Sequence, residues 1–274
     1  MSNEVIIRPS DQVSILSSIR TLLSNFELIA LMTKREISIR YKQAAVGIAW
    51  AVLQPVFTSL IFTVVFGIFA RIPTGEVPYP IFVFSGLLLW QYFSRVVTDG
   101  CLSLVTNSAL ITKVYFPRMI IPLTVATSAA IDFCLSFIVL CILMSFYHFV
   151  PAWTIILVPV VFLMTGLLGF GISLWLSPLN AMYRDIAIVL PFCMQILMYL
   201  SPVIYPVSFI PEKYQWIFIL NPIGTLIQSM RWAMLGGEAP SLTAVAICVA
   251  VTAFILAMGF RIFRSLEFKL VDRI

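Results

Sequence analysis

The stretch between Asp132 and Arg184 contains no Asp, Glu, Lys or Arg, although it is more than fifty residues long. Charged residues make up about a quarter of an ordinary soluble domain, so a charge-free stretch of this length is not expected on a solvated surface. In hydrocarbon the backbone must satisfy its own hydrogen bonds, and a helix does so. Because one crossing needs about 20 residues, this stretch alone predicts two transmembrane helices.

The rest of the chain repeats this pattern, because 61% of its 274 residues are hydrophobic and only 11% are charged. That composition excludes a large soluble core and predicts an all-α integral membrane protein with six transmembrane helices. The second crossing begins near Tyr79 and ends where Arg95 and Asp99 follow. The other five cover about residues 47–70, 119–147, 154–176, 186–207 and 241–260, with polar connections at 100–118 and 177–185.

Two further segments are apolar without the pattern of a crossing. Residues 26–42 mix apolar and charged side chains, which predicts an amphipathic helix in the headgroup plane; a soluble cap helix is the alternative. Residues 208–240 are too apolar for a solvent loop and too interrupted by Pro and Gly for a crossing, which predicts paired re-entrant helices before the last crossing.

Residues 1–25 are polar, are expected to be irregular, and lack the apolar segment of a cleavable signal peptide. The predicted divisions are therefore a cytoplasmic N-terminal segment of residues 1–46, a transmembrane domain of 47–260 and a cytoplasmic tail of 261–274.

The distribution of basic residues predicts the orientation. With the N-terminus inside, six crossings place 14 of the 17 Lys and Arg residues on the cytoplasmic side. These are Arg8, Arg20, Lys34, Arg35, Arg40, Lys42, Arg95, Lys113, Arg118, Arg184, Arg261, Arg264, Lys269 and Arg273. The remaining three, Arg71, Lys213 and Arg231, fall outside. Since cytoplasmic loops are enriched in Lys and Arg, both termini are expected in the cytoplasm.

The sequence offers little to an enzyme acting alone. It has no Gly-x-x-x-x-Gly-Lys-Ser/Thr motif for nucleotide phosphates, and its single histidine, His148, cannot build a common zinc site. The five cysteines are scattered through apolar stretches, so we interpret them as small hydrophobic residues. The net charge is +5, and the basic residues lie at the ends of apolar segments. That placement indicates orientation in a membrane rather than nucleic-acid binding.

Asp132 is the one acid predicted at the middle of a crossing. A charge at that depth is costly, so it is a functional candidate: it relays protons, lines a passage, or pairs with a neighbouring helix. Tyr92, Tyr199 and Tyr205 are candidates for contact with sugar rings, because a tyrosine offers an apolar face and a hydroxyl at its edge.

Several motifs, taken in order, resemble the permease subunits of polysaccharide-exporting ABC transporters, which include O-antigen, capsule and teichoic acid exporters. The resemblance extends from about residue 26 to the C-terminus. The motifs are Arg40-Tyr41-Lys42-Gln43, Gly47-Ile48-Ala49-Trp50-Ala51-Val52-Leu53-Gln54-Pro55, Lys113-Val114-Tyr115-Phe116-Pro117-Arg118, Asn180-Ala181-Met182-Tyr183-Arg184-Asp185, Ser201-Pro202-Val203-Ile204-Tyr205 and Asn221-Pro222.

The resemblance implies a homodimer joined to two copies of a separate P-loop ATPase, which would bind ATP and Mg, with no cofactor in this chain. It implies an interface helix that includes Arg35, Arg40, Tyr41 and Lys42. It also implies an ATPase-coupling segment at about 108–118. The residues expected to contact the ATPase are Lys113, Tyr115, Phe116 and Arg118, and a second set of Tyr183, Arg184 and Asp185. Lys113 and Arg118 are alternatively positive anchors on the cytoplasmic side.

The resulting hypothesis is the transmembrane subunit of an ATP-driven exporter of a lipid-linked polysaccharide, of O-antigen or capsular type, in the bacterial inner membrane. Two alternatives remain at this stage. One is a permease for a drug or a lipid in the same transporter class, and the other is an ion-coupled carrier that works without ATP.

Overall fold

The computed structural model describes residues 15–42 and 47–270, and all regular structure in these residues is helical. Eleven α-helices occur there, joined by short 3-10 turns and one π-helical segment. Their bounds are α1 Ile15–Ser24, α2 Phe26–Lys42, α3 Trp50–Phe62, α4 Tyr79–Thr106, α5 Ser108–Lys113, α6 Ile120–Phe146, α7 Val158–Met182, α8 Asp185–Leu200, α9 Glu212–Ile219, α10 Pro222–Leu235 and α11 Leu242–Leu270.

Five helical segments of the described chain are long and apolar enough to cross a membrane. They are Trp50–Phe69, Tyr79–Thr106, Ile120–Phe146, Trp153–Met182 and Leu242–Glu267. The apolar helix α8 is shorter. The expected all-helical membrane architecture is therefore confirmed.

Several helices extend beyond the predicted crossings, because charged and polar side chains do not by themselves end a helix. The helix α4 passes Arg95 and Asp99 and ends only at Thr106. The helix α7 continues through the predicted connection at 177–185 as far as Met182, so only Tyr183 and Arg184 separate it from α8. Residues 15–24, expected to be irregular, form α1, and α11 extends ten residues beyond Phe260.

The long helices alternate in direction, so the chain has two ends. At one end, which we call the α5 end, α4 ends, α5 follows, α7 joins α8 and α11 terminates. At the opposite end, the α10 end, α10 packs beside the beginnings of α4, α7 and α11. The charged α2 belongs to the α5 end, where Arg35 Nη1 donates to Asn107 Oδ1 at 3.2 Å.

The helix α4 is the centre of the bundle, since it is mostly buried between α6 and α7. Small residues allow these helices to approach closely, as is common between helices in membranes. A Cβ at Gly100 would overlap Ser173, whose Oγ instead donates to the Val96 carbonyl at 2.6 Å. The outer helices α3 and α8 bury few of their side chains in the isolated chain.

A second hydrophobic cluster joins the helices at the α5 end. Ile29 of α2, Ile111 of α5 and Phe263 of α11 are buried together there, and Leu22 of α1 belongs to the same cluster. The helix α5 is therefore in direct contact with the same buried cluster as α2 and α11.

The turn chemistry at the α10 end follows the sequence directly. Asn221 caps α10, accepting a hydrogen bond from the Gly224 N–H at 3.4 Å, and Pro222 occupies the first turn, where its missing N–H does no harm. The helix ends at Gly236, whose φ of 75° lies in the left-handed region that favours glycine.

The contact between α7 and α11 is close enough to predict a destabilising substitution. A Cβ at Gly259 would lie 2.6 Å from the Gly171 carbonyl oxygen, which is backbone and cannot move aside. We expect Gly259→Val to lower the free energy of unfolding by about 1–3 kcal/mol, the usual range for an overpacked contact. Reversible unfolding in mixed detergent micelles measures this change in unfolding free energy.

The matched control is Ala253→Val, which adds valine to an exposed position on the same helix. It should change stability little. Equal destabilisation by both variants would contradict the proposed close contact.

Candidate functional site

An ion network connects α2, α4 and α6 inside the bundle. Asp132 of α6 forms an ion pair with Arg95 of α4, and the two side chains are only 16% and 14% exposed. The Tyr41 hydroxyl at the end of α2 donates to Asp132 Oδ2 at 2.7 Å, and Arg95 Nη2 donates to Ser128 Oγ at 3.1 Å. Of the alternatives for Asp132, pairing with a neighbouring helix is the arrangement that the structure contains.

The network continues to Asp99, one turn beyond Arg95 on α4. Arg40 Nη2 lies 2.5 Å from Asp99 Oδ2, and Arg95 Nε lies 3.5 Å from the same oxygen. Two arginines and two aspartates thus face each other and their charges balance. For the buried pair Arg95 and Asp132, the opposite charge replaces the water that each group would have in solution, whereas Arg40 and Asp99 stay 34% and 33% exposed.

These contacts attach α2 along the side of α6. Thr33 Oγ1 lies 2.7 Å from Thr127 Oγ1, and further along both helices Tyr41 reaches Asp132. Of the residues predicted for the interface helix, Arg35, Arg40 and Tyr41 make contacts within the subunit, whereas Lys42 is exposed.

A cavity of about 480 Å³ lies beside the network, between α2, α3, α4 and α6. Its lining combines the four charged groups of the network with aromatic rings, amides and hydroxyls. The aromatic and amide residues are Tyr41, Trp50, Gln54, Trp90, Gln91, Tyr92 and Phe133. Asp132 Oδ1 is buried without a hydrogen-bond partner among the described residues.

The predicted coupling residues all lie at the α5 end, but they are used differently. Lys113 and Tyr115 are exposed, as are Tyr183, Arg184 and Asp185 between α7 and α8. Phe116 packs against the cluster at the α5 end.

Arg118 belongs to the same predicted set, but its contact is internal. Its Nη1 donates to the Glu267 carbonyl of α11 at 2.5 Å. Arg118 therefore holds α11 within the subunit.

The three tyrosines predicted to contact sugar are not brought together. Tyr199 lies in the last turn of α8 and Tyr205 in the turn that follows, where the Tyr205 hydroxyl donates to the Tyr199 carbonyl at 2.8 Å. Tyr92 is buried in the bundle instead, with its ring stacked 4.9 Å from that of Phe162. It is one wall of the cavity.

Arg231 is a buried cation whose role the sequence reasoning missed. Its Nη1 and Nη2 each donate at 2.5 Å, to the Pro202 and Val203 carbonyls, and its Cζ lies 3.6 Å above the Phe82 ring. An arginine guanidinium stays protonated in proteins, so this buried group is a cation. Gly86 leaves room for it, because a Cβ there would lie 2.7 Å from Nη2.

Arg231 thus fixes the turn after α8 to α4 and α10. The sequence analysis counted it among the three basic residues on the outer side, but did not anticipate that it is buried inside the fold. The available signal was its isolation: it is the single charge of α10, among apolar residues on both sides.

Long apolar helices around a buried, charge-balanced network define a multi-pass membrane protein. Comparison with known families identifies which one: the model of the ABC-2 type transporter family matches residues 27–235, about three quarters of the chain. The chain belongs to the ABC-2 type transporter family of membrane proteins.

Relatives of known description cover nearly the whole chain. It is 28% identical to an O-antigen export system permease protein RfbA of Klebsiella pneumoniae and 27% identical to the protein of that name from Myxococcus xanthus, each over 90% of this chain and 95% of the relative. It is 24% identical to the polysialic acid transport protein KpsM of Escherichia coli, over 85% of this chain and 91% of the relative.

The ion pair predicts non-additive effects of substitution. Asp132→Asn leaves Arg95 buried without its principal counter-charge, so we expect a loss of about 3 kcal/mol of unfolding free energy, the lower end for breaking a buried pair. Adding Arg95→Gln removes the stranded cation and should restore part of that loss. Unfolding of the two single variants and the double variant measures the coupling, and strictly additive effects would contradict the pairing.

The geometry of Arg231 predicts that lysine cannot replace it. A lysine has no planar fork to reach two carbonyls at once, so Arg231→Lys should lose much of the stability that Arg231→Met loses. We expect Arg231→Lys to lower the free energy of unfolding by about 1–3 kcal/mol, the range for buried polar groups left without a partner. Thermal unfolding measures this loss. Lys213→Met, at an exposed cation of the same end, is the control, and full rescue by lysine would refute the bidentate role.

Proposed function

We propose that this chain is the transmembrane subunit of an ATP-driven exporter that moves a lipid-linked polysaccharide, of O-antigen or capsular type, across the bacterial inner membrane. The observation that carries the proposal is similarity along almost the full chain to permeases described as O-antigen export and polysialic acid transport proteins. The family assignment and the five long apolar helices support the same class.

The proposed topology has six crossings, with α8 as the fifth. Its 16 residues rise about 24 Å at 1.5 Å per residue, less than the roughly 30 Å of hydrocarbon. The short helices α9 and α10 follow it and would occupy the remaining depth as re-entrant helices. Six crossings put both termini and the α5 end in the cytoplasm, in keeping with the basic residues there.

The proposed assembly is a homodimer with two copies of a P-loop ATPase, which bind ATP and Mg. The exposed apolar side chains of α3 and α8 support a second copy, because a partner helix would cover them. A passage between two copies also needs no channel through the tightly packed helices α4, α6 and α7, and cyclic symmetry favours such an interface.

The proposed mechanism begins with closure of the ATPase on the exposed residues of the α5 end. Ile111 of α5 shares a buried cluster with α2 and α11, so a displacement of α5 reaches both helices by direct packing. Tyr41 and Arg40 then carry the displacement of α2 to α6 and α4 through the ion network. The result is a rearrangement between the two copies that passes the glycan outward.

Two measurements test the proposal together. Deletion of the encoding gene should abolish the surface glycan, and affinity purification from native membranes should recover an ATPase subunit with the tagged chain. Unchanged surface glycan would refute the substrate class, and ATP hydrolysis by the purified chain alone would refute the division of labour. A proton-coupled carrier predicts loss of export in Asp132→Asn together with a changed pH dependence.

The exposed aromatic residue of the coupling segment gives a sharper prediction. Tyr115 is 86% exposed beyond α5, and Trp153 is equally exposed at the α10 end. We expect Tyr115→Ala to weaken recovery of the ATPase and to lower export several-fold, because an exposed aromatic side chain is a common anchor in interfaces. Trp153→Ala should leave ATPase recovery unchanged. Equal recovery from both variants would contradict the assignment.

A further inference from the structure

The cavity beside the ion network has the chemistry of a carbohydrate-binding site. We propose that it binds one uncharged sugar ring of the transported glycan on the α5 side of the membrane, before the chain passes outward. This inference rests on the proposed function, since it specifies where the substrate is held.

The size and walls of the cavity fit such a ligand. Its volume of about 480 Å³ lies within the range of small-molecule sites, about 300–1,000 Å³. The rings of Trp50, Trp90 and Tyr92 form apolar walls. The C–H faces of a sugar ring pack on aromatic rings, while its hydroxyls point to the edges, where polar groups are needed.

Those polar groups are present and in part unused. Asp132 Oδ1 is a buried acceptor without a partner in the described chain, and the side-chain amides of Gln54 and Gln91 make no hydrogen bond there. A buried charged oxygen without a partner is costly, by about 1–3 kcal/mol or more. A hydroxyl can donate to the carboxylate and accept from an amide at the same time.

The charge balance argues for an uncharged ring rather than a phosphate or an acidic sugar. Arg95 already pairs with Asp132 and Arg40 with Asp99, so each cation of the network has a counter-charge, and the buried Arg95 Nε is left only as a further hydrogen-bond donor. An anion would have to displace a carboxylate from its arginine. Neutral hydroxyls add hydrogen bonds without disturbing either pair.

Photocrosslinking in cells tests the site directly. The photoreactive residue p-benzoylphenylalanine would be introduced at Gln54, which lines the cavity, and as a control at Ile142, which is exposed on α6 outside it. Each variant is expressed in cells that also carry the unaltered chain, so that export of the glycan continues whatever the variant does. We expect a glycan adduct from Gln54 but not from Ile142, and none in cells unable to make the glycan.

A second substitution tests whether the glycan adduct at Gln54 depends on the polar groups of the cavity. Gln91→Leu removes one amide facing the cavity and should lower the adduct yield at Gln54 about 2- to 10-fold, as one lost hydrogen bond predicts. Gln215→Leu makes the same chemical change in α9, outside the cavity, and should leave the yield unchanged.

Each other outcome is decisive. A phospholipid adduct at Gln54 with equal yield in glycan-deficient cells would overturn the proposal. The absence of a glycan adduct from a Gln54 variant that reaches the membrane at the level of the Ile142 variant would overturn it too. Surface glycan that persists when the gene is deleted would instead refute the proposed function. The two failures are thus distinguishable.

Discussion

A charge inside a membrane protein is stable only where the protein supplies the solvation that water no longer gives. The described chain meets this requirement in two different ways. At Asp132 and Arg95 two opposite charges face each other, with Tyr41 adding a hydrogen bond. At Arg231 no acid is involved: backbone carbonyls and the face of Phe82 surround the guanidinium.

These two arrangements also decide how the helices are joined. The ion network attaches α2 to α4 and α6, so the helix that carries most of the N-terminal charge is part of the bundle. Arg231 attaches the turn after α8 to α4 and α10. The central helix α4 takes part in both, and small residues such as Gly100 and Gly166 let α7 pack closely against it. The helices α3 and α8 lack comparable attachments and remain at the periphery.

The sequence predicted the helical class, the five long apolar helices and the pair of short helices within residues 208–240, because hydropathy and Pro or Gly positions are local properties. It located Asp132 as a buried acid but took its partner Arg95 as the end of a crossing. That error is physical: a charge can lie inside a crossing where the fold neutralises it, and the partner here lies 37 positions away on another helix. The buried contacts of Arg231 were missed because carbonyl ligands carry no sequence signature.

The proposed mechanism depends most on the orientation of the helix bundle, with the α5 end in the cytoplasm and facing the ATPase. Labelling with a membrane-impermeant maleimide tests this directly, using a cysteine at Tyr115 or at Val150 in a chain whose five native cysteines are replaced. We expect labelling of position 150 while the inner membrane is intact. Position 115 should be labelled only after that membrane is opened. Labelling of position 115 from outside, with position 150 protected, would contradict it.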